Sequence, residues 1–397
     1  MSTNKINTEL ISYLYIAFFY YLYKIQKMTK IKYFIPVLLF SLFAHFSSEA
    51  QGRKFVNEFL NIGVGAKSLA MFGAVTATSN DISAGYWNPA GLLKIDAPFQ
   101  VSATHSEWFA GIAQYDYLAF GKKLGKERNA FGSISFIRMG VDNIPNTFNL
   151  VGPDGRIDYS RVTDFSAADY ALIISYARKA FGNLSVGGST KIIYRQIGTF
   201  GSAWGFGFDF GTQMNFGKLS VGIMGRDITS TLTTWSFNFT DTEKSVLAAT
   251  GNDIPKSSTE YALPRIIAGL AYKGGFGGTQ KKFSYLVEAD INLSTDGRRH
   301  GFVKSNYIDI TPAFGFELGY INKIFLRAGV GNLQRVLNDI TGDQGAFEVQ
   351  PNVGLGIKLG RLHLDYALSN VGEISSSLYS HIFSLSLDLV KRTNAEQ

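Results

Sequence analysis

WGFGFDFGTQM, residues 204–214, decides the fold because apolar residues alternate with small or polar ones along its whole length. An aromatic residue stands at every second position up to residue 210, and the intervening positions carry glycine or a polar residue such as Asp209. Successive side chains of a β-strand point to opposite faces, so the pattern predicts a strand with an apolar environment on one side only. The same alternation recurs at 283–293, 362–369 and 383–389. These segments predict a sheet with one continuous apolar face.

Strand length and connection length separate a membrane barrel from a soluble β-sandwich or propeller, whose strands also alternate. About fourteen predicted strands follow residue 96, and most approach the roughly 9 to 11 residues that a tilted strand needs to cross a bilayer. Every second connection is short and glycine-rich or basic. The longer predicted links are 140–165, 227–264, 294–304 and 333–345. Because short turns at one rim and long loops at the other are typical of outer-membrane barrels, we predict an all-β transmembrane barrel of about 14 antiparallel strands at residues 96–391.

The predicted barrel lies in the Gram-negative outer membrane, in contact with its lipid, and crosses the membrane many times. Residues 392–397 are then a short periplasmic tail. Composition agrees, since charged residues make up 17% of the chain and aromatic residues 14%, whereas about a quarter of a soluble domain is charged. The formal net charge of +7 is mild and scattered, which argues against nucleic-acid binding.

The N-terminal region predicts a secretory signal peptide at residues 28–50. Met28 begins a short basic segment, which is followed by the apolar run FIPVLLFSLF and by small residues before a break between Ala50 and Gln51. This order is typical of a signal sequence cleaved after Ala50. Residues 1–27 would then be an upstream extension that is absent from the physiological protein, with Met28 as initiator. An uncleaved anchor is the alternative, but the apolar runs are shorter than the roughly 18 to 20 residues of a spanning helix.

The sequence offers no set of residues for catalysis, so we predict no enzymatic activity and no cofactor. GVGAKS at 63–68 resembles a phosphate-binding loop, but Ala66 stands where glycine must precede the lysine. No G-x-S-x-G motif occurs. Cysteine is absent, which excludes thiolate metal sites. The histidines after the signal region, at 105, 300, 363 and 381, show no metal-ligand spacing.

Residues 51–95 do not alternate and differ from the predicted strands. AKSLAMFGAV at 66–75 has near-helical spacing, and Asn88-Pro89 predicts a sharp corner with Gly91 allowing a tight exit. A segment of this size is too short to fold alone. We therefore expect it to bury its apolar residues in the barrel lumen as a hatch.

GAKSLAMFGAVTATSNDISAGYWNPAGL at 65–92 resembles the N-terminal signature of the FadL-like outer-membrane superfamily. NEFLNIGVGAKSLAM at 57–71, ahead of NPAGL, makes the sequence most similar to the PorV/PorQ family. The resemblance implies a hatch that plugs a fourteen-stranded barrel and ends at an Asn-Pro-Ala motif before the first strand. The residues that match the hatch motif, implied to be structural, are Gly73, Asp81, Asn88, Pro89, Ala90 and Gly91.

The resemblance also implies a role in type IX secretion. PorV-like proteins receive cargo at the outer-membrane translocon and carry it to an attachment complex that contains a PorQ-like barrel. The first hypothesis is therefore a type IX secretion component whose extracellular loops bind secreted cargo or a protein of the translocon or attachment complex. Trp235, Phe237 and Phe239 in the link 227–264 form the candidate partner-binding loop.

Two other functions stay open. A FadL-like transporter would pass hydrophobic small molecules across the outer membrane, and a purely structural barrel would chaperone another translocon component. The inward faces of the predicted strands are mostly Gly, Ser, Asp, Gln and Lys, whereas a hydrocarbon path should be apolar. This polarity favours the secretion hypothesis at the level of sequence.

Overall fold

The computed structural model describes residues 56–125, 129–151, 155–277, 282–295, 303–304, 309–337, 344–371 and 379–389. The predicted upstream extension, signal peptide, cleavage site at Ala50 and Gln51, and C-terminal tail lie outside these residues. Within the described residues, no helix combines the length and apolar character needed to span a membrane.

Seventeen β-segments are formed by the described residues, and all of them belong to one sheet. They are β1 Phe99–Trp108, β2 Ala113–Leu124, β3 Ala130–Asn146, β4 Thr163–Phe181, β5 Leu184–Ile197, β6 Gly201–Phe216, β7 Leu219–Arg226, β8 Thr231–Phe237, β9 Ser258–Ala262, β10 Arg265–Phe276, β11 Phe283–Ser294, β12 Val303–Lys304, β13 Asp309–Tyr320, β14 Ile324–Leu337, β15 Gln344–Leu359, β16 Leu362–Ser369 and β17 Ser380–Leu389.

The sheet closes on itself because β1 pairs antiparallel with both β2 and β17. β7 pairs with the C-terminal part of β6, and β8 pairs with its N-terminal part. β7 and β8 are therefore two halves of one wall strand. β9 and β10 pair with β8 and β7 and form the next wall strand in the same way. β12 is a short extension beside β13. The described segments therefore make a closed barrel of fourteen antiparallel strands, which confirms the predicted fold class.

The connections confirm the predicted asymmetry but correct several boundaries. Every second wall strand ends in a short turn such as 182–183, 217–218 or 360–361. The predicted link 227–264 instead contains β8, helix α3 (Asp241–Ala249) and β9. β3 and β4 also extend past the predicted limits, because their pairing resumes after a bulge between Val141 and Ile144. Continued pairing beyond an interruption is the physical reason for both corrections.

The outer face of the wall is apolar and exposed. The side chains of Trp204, Phe206, Phe208 and Phe210 are 62%, 45%, 38% and 46% exposed, as their alternation predicts. Rings also pair along the wall: the ring centroids of Tyr194 and Trp204, for example, are 4.8 Å apart. A broad exposed apolar surface is not stable in water. The strands of this barrel therefore face membrane hydrocarbon, with aromatic rings of the kind that form the girdles of such barrels.

Residues 56–95, the lumen segment, lie inside the wall and are mostly buried. The segment forms a 3-10 helix at Glu58–Asn61, α1 (Ala66–Ala70), α2 (Ala84–Trp87) and a second 3-10 helix at Pro89–Lys94. Its elements contact strands on several sides of the barrel: α1 packs on β14 to β17, and the second 3-10 helix packs on β3 to β6. The inward side chains of the wall thus meet protein rather than open solvent over much of the lumen.

Candidate functional site: the barrel lumen

Asn88 joins the corner of the lumen segment to the wall. Its Oδ1 accepts a hydrogen bond from the backbone N–H of Ala90 at 3.2 Å, which caps the 3-10 helix that Pro89 begins. Its Nδ2 donates to the carbonyl oxygen of Thr76 at 2.8 Å and to that of Thr212 on β6 at 3.1 Å. Asn88 is completely buried. The predicted motif residue therefore bridges two parts of the lumen segment and one wall strand.

Glycine occurs where the backbone of the lumen segment touches the wall. A Cβ on Gly211 would overlap Asn88 Oδ1, and a Cβ on Gly329 would overlap the backbone of Met71. Gly91, another motif residue, lies so close to Ser79 that a Cβ would overlap its carbonyl oxygen. Gly91 is therefore needed for close approach rather than for the tight exit that the sequence predicts. Other inward glycines face the wall itself: a Cβ on Gly207 would overlap the side chain of Thr231.

Gly73 and Asp81 stabilise the fold of the lumen segment itself. Gly73 has φ +72°, and a Cβ there would lie 2.8 Å from the Trp87 ring. Asp81 Oδ1 accepts hydrogen bonds from the Ser83 N–H and hydroxyl, and Lys67 Nζ lies 3.2 Å from Asp81 Oδ2. Burial acts to raise the pKa of Asp81, but Lys67 and the bonds from Ser83 together lower it below its usual 3.8.

Polar inward residues of the wall bind the backbone of the lumen segment. The hydroxyls of Ser175 and Ser189 both donate to the carbonyl oxygen of Gly85, at 3.1 and 2.9 Å. Gln213 Nε2 donates to the Thr76 carbonyl oxygen at 3.0 Å, and Asn352 Nδ2 donates to the Leu69 carbonyl oxygen at 2.7 Å. These bonds give buried backbone carbonyl groups of the lumen segment hydrogen-bond donors on the wall. The polar face that the sequence shows is thus a binding face for the lumen segment.

Two carboxylates of β11 accept hydrogen bonds from backbone N–H groups in the loop at 76–78 of the lumen segment. Glu288 Oε1 accepts from the Ala77 N–H at 2.6 Å, and Asp290 Oδ2 accepts from the Thr76 N–H at 3.1 Å. Lys94 Nζ donates to the Ala77 carbonyl oxygen at 3.0 Å from the other side. Burial lowers the pKa of Lys94 to about 8, although Glu288 acts to raise it. The loop at 76–78 is therefore held between Glu288 and Asp290 on one side and Lys94 on the other.

A buried ionic cluster lies where the wall strand made of β7 and β8 is interrupted. Lys191 forms ion pairs with Asp209, at 2.8 Å, and with Asp227, and all three side chains are nearly inaccessible. Arg265 lies 3.7 Å from Asp227 and donates to Asn61 Oδ1 of the lumen segment at 2.5 Å. Within the cluster, the positive charge of Lys191 compensates the buried negative charges of Asp209 and Asp227. It also joins the interruption to the first helix of the lumen segment.

Beyond the tip of the lumen segment, on the side of the barrel that we call the upper lumen, the inward side chains are aromatic rather than polar. Arg195 pairs with Asp169, with Nε–Oδ1 at 2.7 Å, and its guanidinium lies 5.9 Å from the Phe59 ring and 5.1 Å from the Trp235 ring. Such cation–π contacts hold Arg195 between the tip of the lumen segment and β8. This layer separates the polar lower lumen from an aromatic upper lumen.

The upper lumen contains six aromatic side chains, which we term the ring cluster: Phe148, Phe165, Phe200, Trp235, Phe237 and Phe239. Phe200 is at its centre, with ring centroids 5.3 Å from Phe148, 5.2 Å from Phe165 and 5.9 Å from Phe239. Phe237 is 5.6 Å from Trp235 and 6.1 Å from Phe239. These spacings are those of favourable ring packing.

The predicted partner-binding residues thus occupy a different position from the one expected. Trp235 and Phe237 lie on β8, Trp235 is only 7% exposed, and Phe239 stacks on Phe200. The period of two in TLTTWSF at 231–237 carries the signal for this strand. The four residues Asp227–Ser230 interrupt the alternation between β7 and β8. The sequence therefore predicts β8 as part of the link 227–264. Partner binding by these residues stays a prediction.

A cavity of about 460 Å³ reaches the ring cluster from the side of the barrel, beside the bulge in β3. Its inner lining is Phe165 and Phe200, and the rest of its lining is mainly polar, including Arg138, Asp142, Asp164 and Gln196 together with Tyr170. The inner residues belong to the ring cluster, whereas Tyr170 belongs to the row of rings on the outer face. The cavity therefore lies between the upper lumen and the outer surface of the wall.

No protein-family model matches the sequence, and no curated protein matches it. Solved structures do match. The Pseudomonas putida toluene transporter TodX shares 15% identity with a TM-score of 0.52, over 82% of this chain and 98% of that chain. The Ralstonia pickettii toluene transporter TbuX shares 15% identity with a TM-score of 0.50, over 82% and 98% of the two chains. The CymD monoaromatic hydrocarbon channel shares 13% identity with a TM-score of 0.50, over 84% and 99%.

At these identities the likeness concerns the fold, and it extends over nearly the full length of the matched structures. It agrees with the closed wall of fourteen strands and with the exposed apolar outer face. The protein is a multi-pass β-barrel of the Gram-negative outer-membrane type, with a fold like that of the TodX, TbuX and CymD barrels.

Proposed function

We propose that the protein is an outer-membrane channel that binds hydrophobic small molecules at the ring cluster. The observation that carries this proposal is the ring cluster itself, reached by a cavity of about 460 Å³. Small-molecule sites of about 300 to 1,000 Å³ are mostly apolar, with a few polar groups that fix orientation. Aromatic rings attract an apolar guest by burial of its surface and by ring packing. Toluene transport by TodX and TbuX supports the same class of substrate, a monoaromatic hydrocarbon.

The polarity of the inward strand faces does not oppose this proposal. Ser175, Ser189 and Gln213 use their polar groups to bind the lumen segment. The ring cluster lies higher in the barrel, and its residues come from β4, β8 and the adjoining loops. The sequence argument for secretion over transport thus loses its main support.

The lumen segment acts as a plug in this proposal. Passage straight down the barrel requires the segment to move, because its backbone touches Gly211 and Gly329 on different sides of the wall. The cavity beside β3 offers a second route, since its lining runs from the ring cluster to outward-facing Tyr170. A molecule leaving there would avoid the plug but would pass the polar lining formed by Arg138, Asp142 and Asp164.

Equilibrium binding of toluene to the purified barrel in detergent tests the proposal. We expect saturable quenching of tryptophan fluorescence, and we expect the double variant Phe200→Ala with Phe239→Ala to weaken binding at least tenfold. The matched control is Phe206→Ala with Phe208→Ala, which removes two outward rings. Non-saturable binding by the unmodified protein, or equal affinity of the two double variants, would contradict the proposal.

A type IX secretion component of the PorV/PorQ kind is the second candidate. Two features favour it: the N-terminal signature at 57–92, and the fastening of the lumen segment to strands around the wall, which suits a barrel that stays closed and works through its exterior. Purification of the tagged protein in a mild detergent, followed by mass spectrometry, separates the candidates. Recovery of secretion proteins without bound hydrophobic ligand supports this candidate, and the reverse result supports the channel.

A further inference from the structure

Charged and polar side chains face outward on the wall at β17, β1, β2 and β3, where most of the barrel presents apolar residues. We term the following set the polar patch: His105, Glu107, Asp116, Arg138 and His381. His105 Nδ1 lies 2.7 Å from Asp116 Oδ1, and Arg138 lies 3.5 Å from Asp116 Oδ2. Their side chains are 52%, 41% and 30% exposed, in the order His105, Asp116, Arg138. Strand pairing places His381 directly beside Glu107.

The polar patch lies on a part of β1 that an apolar band of ordinary height would cover. β1 has ten residues from Phe99 to Trp108, which at about 3.3 Å per residue and a tilt of about 40° span roughly 25 Å, the height of the apolar band of such barrels. His105 is six residues above Phe99, so it stands about 15 Å up that band. Apolar Ala103 and Leu118 lie below it, and the hairpin tip above carries Phe109 and Ile112, which are 43% and 63% exposed.

The opposite side of the barrel shows that this is not the general composition of the wall. Outward positions of β10 are Ile266, Ala268, Leu270 and Tyr272, and their partners on β11 are likewise uncharged. Charged side chains facing hydrocarbon are unfavourable. His105 and Arg138 pair with Asp116 within the chain, and the concentration of such groups on one face favours further polar groups from something that packs against them.

Below the polar patch the outer wall forms an apolar groove of about 740 Å³. Its lining includes Ala103, Leu118, Phe136, Leu355, Phe383 and Leu385, and His105 and Asp116 form its polar part. Groove and polar patch are thus one continuous surface with an apolar part and a charged part. Such a combination is typical of protein-binding surfaces, which have an apolar centre and a polar margin.

The charges identify the occupant. Glu107 and Asp116 belong to the polar patch, and Asp142 and Asp164 line the adjoining cavity with Arg138. Four carboxylates against one arginine give a net charge of −3 with neutral histidines. Lipid phosphate groups would be repelled by this surface. A second copy docked about a two-fold axis would present the same acidic surface on both sides of the interface. A different protein with basic side chains has neither problem.

We propose that this face of the barrel docks a membrane-embedded protein partner that presents lysine or arginine to Asp116 and Glu107 and an apolar ridge to the groove. The interaction uses the groove and the acids beside it rather than the rings of the ring cluster, although Arg138, Asp142 and Asp164 also line the cavity that reaches the cluster. It therefore goes beyond the channel function and stands or falls separately.

Site-specific photo-crosslinking in cells that make the full chain at normal levels tests this proposal. A photoreactive residue replaces Phe383 in the groove, and the matched control replaces Leu270 on the opposite outer face. We expect one discrete protein adduct from position 383, with lysine or arginine in the crosslinked partner peptide, and only lipid adducts from position 270. Lipid adducts alone at position 383, an adduct with twice the mass of the chain, or the same protein adduct from both positions would overturn the proposal.

Charge variants make the test specific. Asp116→Asn with Glu107→Gln should lower the yield of the adduct at least fivefold, with the barrel still shifting in mobility on heating, as folded barrels do. Asp116→Arg should abolish the adduct, and an acidic residue in place of the crosslinked partner lysine or arginine should restore it. Where Asp116→Arg prevents folding, the neutralised variant decides. An unchanged yield in the folded neutralised variant, or no restoration by the partner's acidic residue, would overturn the proposal.

Discussion

Gly211 and Asn88 face each other so closely that a methyl group on Gly211 would overlap Asn88 Oδ1. One residue lies on β6 of the wall and the other at the corner of the lumen segment. The side chain of Asn88 and the absence of a side chain at position 211 are therefore two halves of one contact. The docking of the lumen segment depends on both.

We predict that Gly211→Ala displaces the corner of the lumen segment. Because the neighbouring Asn88 is fully buried and bonded on both sides, it has no space to move away. Overpacking of this kind costs about 1 to 3 kcal/mol, measurable as a lower free energy of unfolding in detergent. Gly188→Ala is the matched control, since a Cβ there meets only Asp209 O at 3.5 Å. Equal stability of the two variants would show that the contact is unimportant.

Asn88→Ala should also loosen the lumen segment, because it removes the other half of the contact between Asn88 and Gly211. The change removes two donated hydrogen bonds and leaves the carbonyl oxygens of Thr76 and Thr212 without this donor. Loss of a buried partner costs about 1 to 3 kcal/mol, so dye influx into cells and protease cleavage within 56–95 should both rise. Asn238→Ala, at an exposed position, serves as the control. Dye influx equal to that of the unmodified barrel would contradict a plug held by Asn88.

The wall was predictable because its signal is local. Alternation within each strand, as at 204–214, fixes which side faces lipid without knowledge of its neighbours. Strand ends were less predictable: β3 resumes pairing after its bulge at Val141 and Ile144, and only the partner strand β4 determines that.

The lumen was only partly predictable. The motif residues Asn88 and Gly91 were identified from turn chemistry and resemblance, and both lie at close contacts. Which wall residues meet them depends on the register between neighbouring strands, summed around the barrel. The sequence of a single strand does not contain that register. The inward glycine at 211 looks the same in sequence as a glycine facing water. The ring cluster was missed for the same reason, since Phe148, Phe200 and Phe239 come from separate loops.

The stability of the barrel should rise with pH above about 8 because of Lys94. Burial lowers its pKa to about 8 from 10.5. Between those values the folded chain has released the proton while the unfolded chain retains it, so the free energy of unfolding increases with pH. This lowering of the pKa corresponds to about 3 kcal/mol. Unfolding titrations at pH 7 and pH 10 measure the rise.

Two variants isolate the contribution of Lys94 from that of other titrating groups. Lys94→Met should remove the increment, so its rise between pH 7 and pH 10 should be smaller than that of the unmodified barrel. Glu288→Gln removes a charge that acts to raise the pKa of Lys94, so the rise should begin at lower pH. Identical pH dependence of Lys94→Met and the unmodified protein would exclude this account.

Replacement of Lys191 should be the most damaging of the substitutions discussed. Lys191→Met leaves Asp209 and Asp227 without their shared cation at a site where each side chain is less than a tenth exposed. Breaking a buried pair by removing one partner costs about 3 to 5 kcal/mol. Hydrogen exchange of Asp227–Thr231 should accelerate, because Thr231 also donates to Asp227 at 2.5 Å. Lys244→Met, which breaks an exposed pair with Asp241, should change stability by no more than about 0.5 kcal/mol. Adding Asp209→Asn to Lys191→Met should recover part of the loss, since one uncompensated charge is then gone; a double variant no more stable than the single one would mean that packing, and not charge, holds the two halves of this wall strand together.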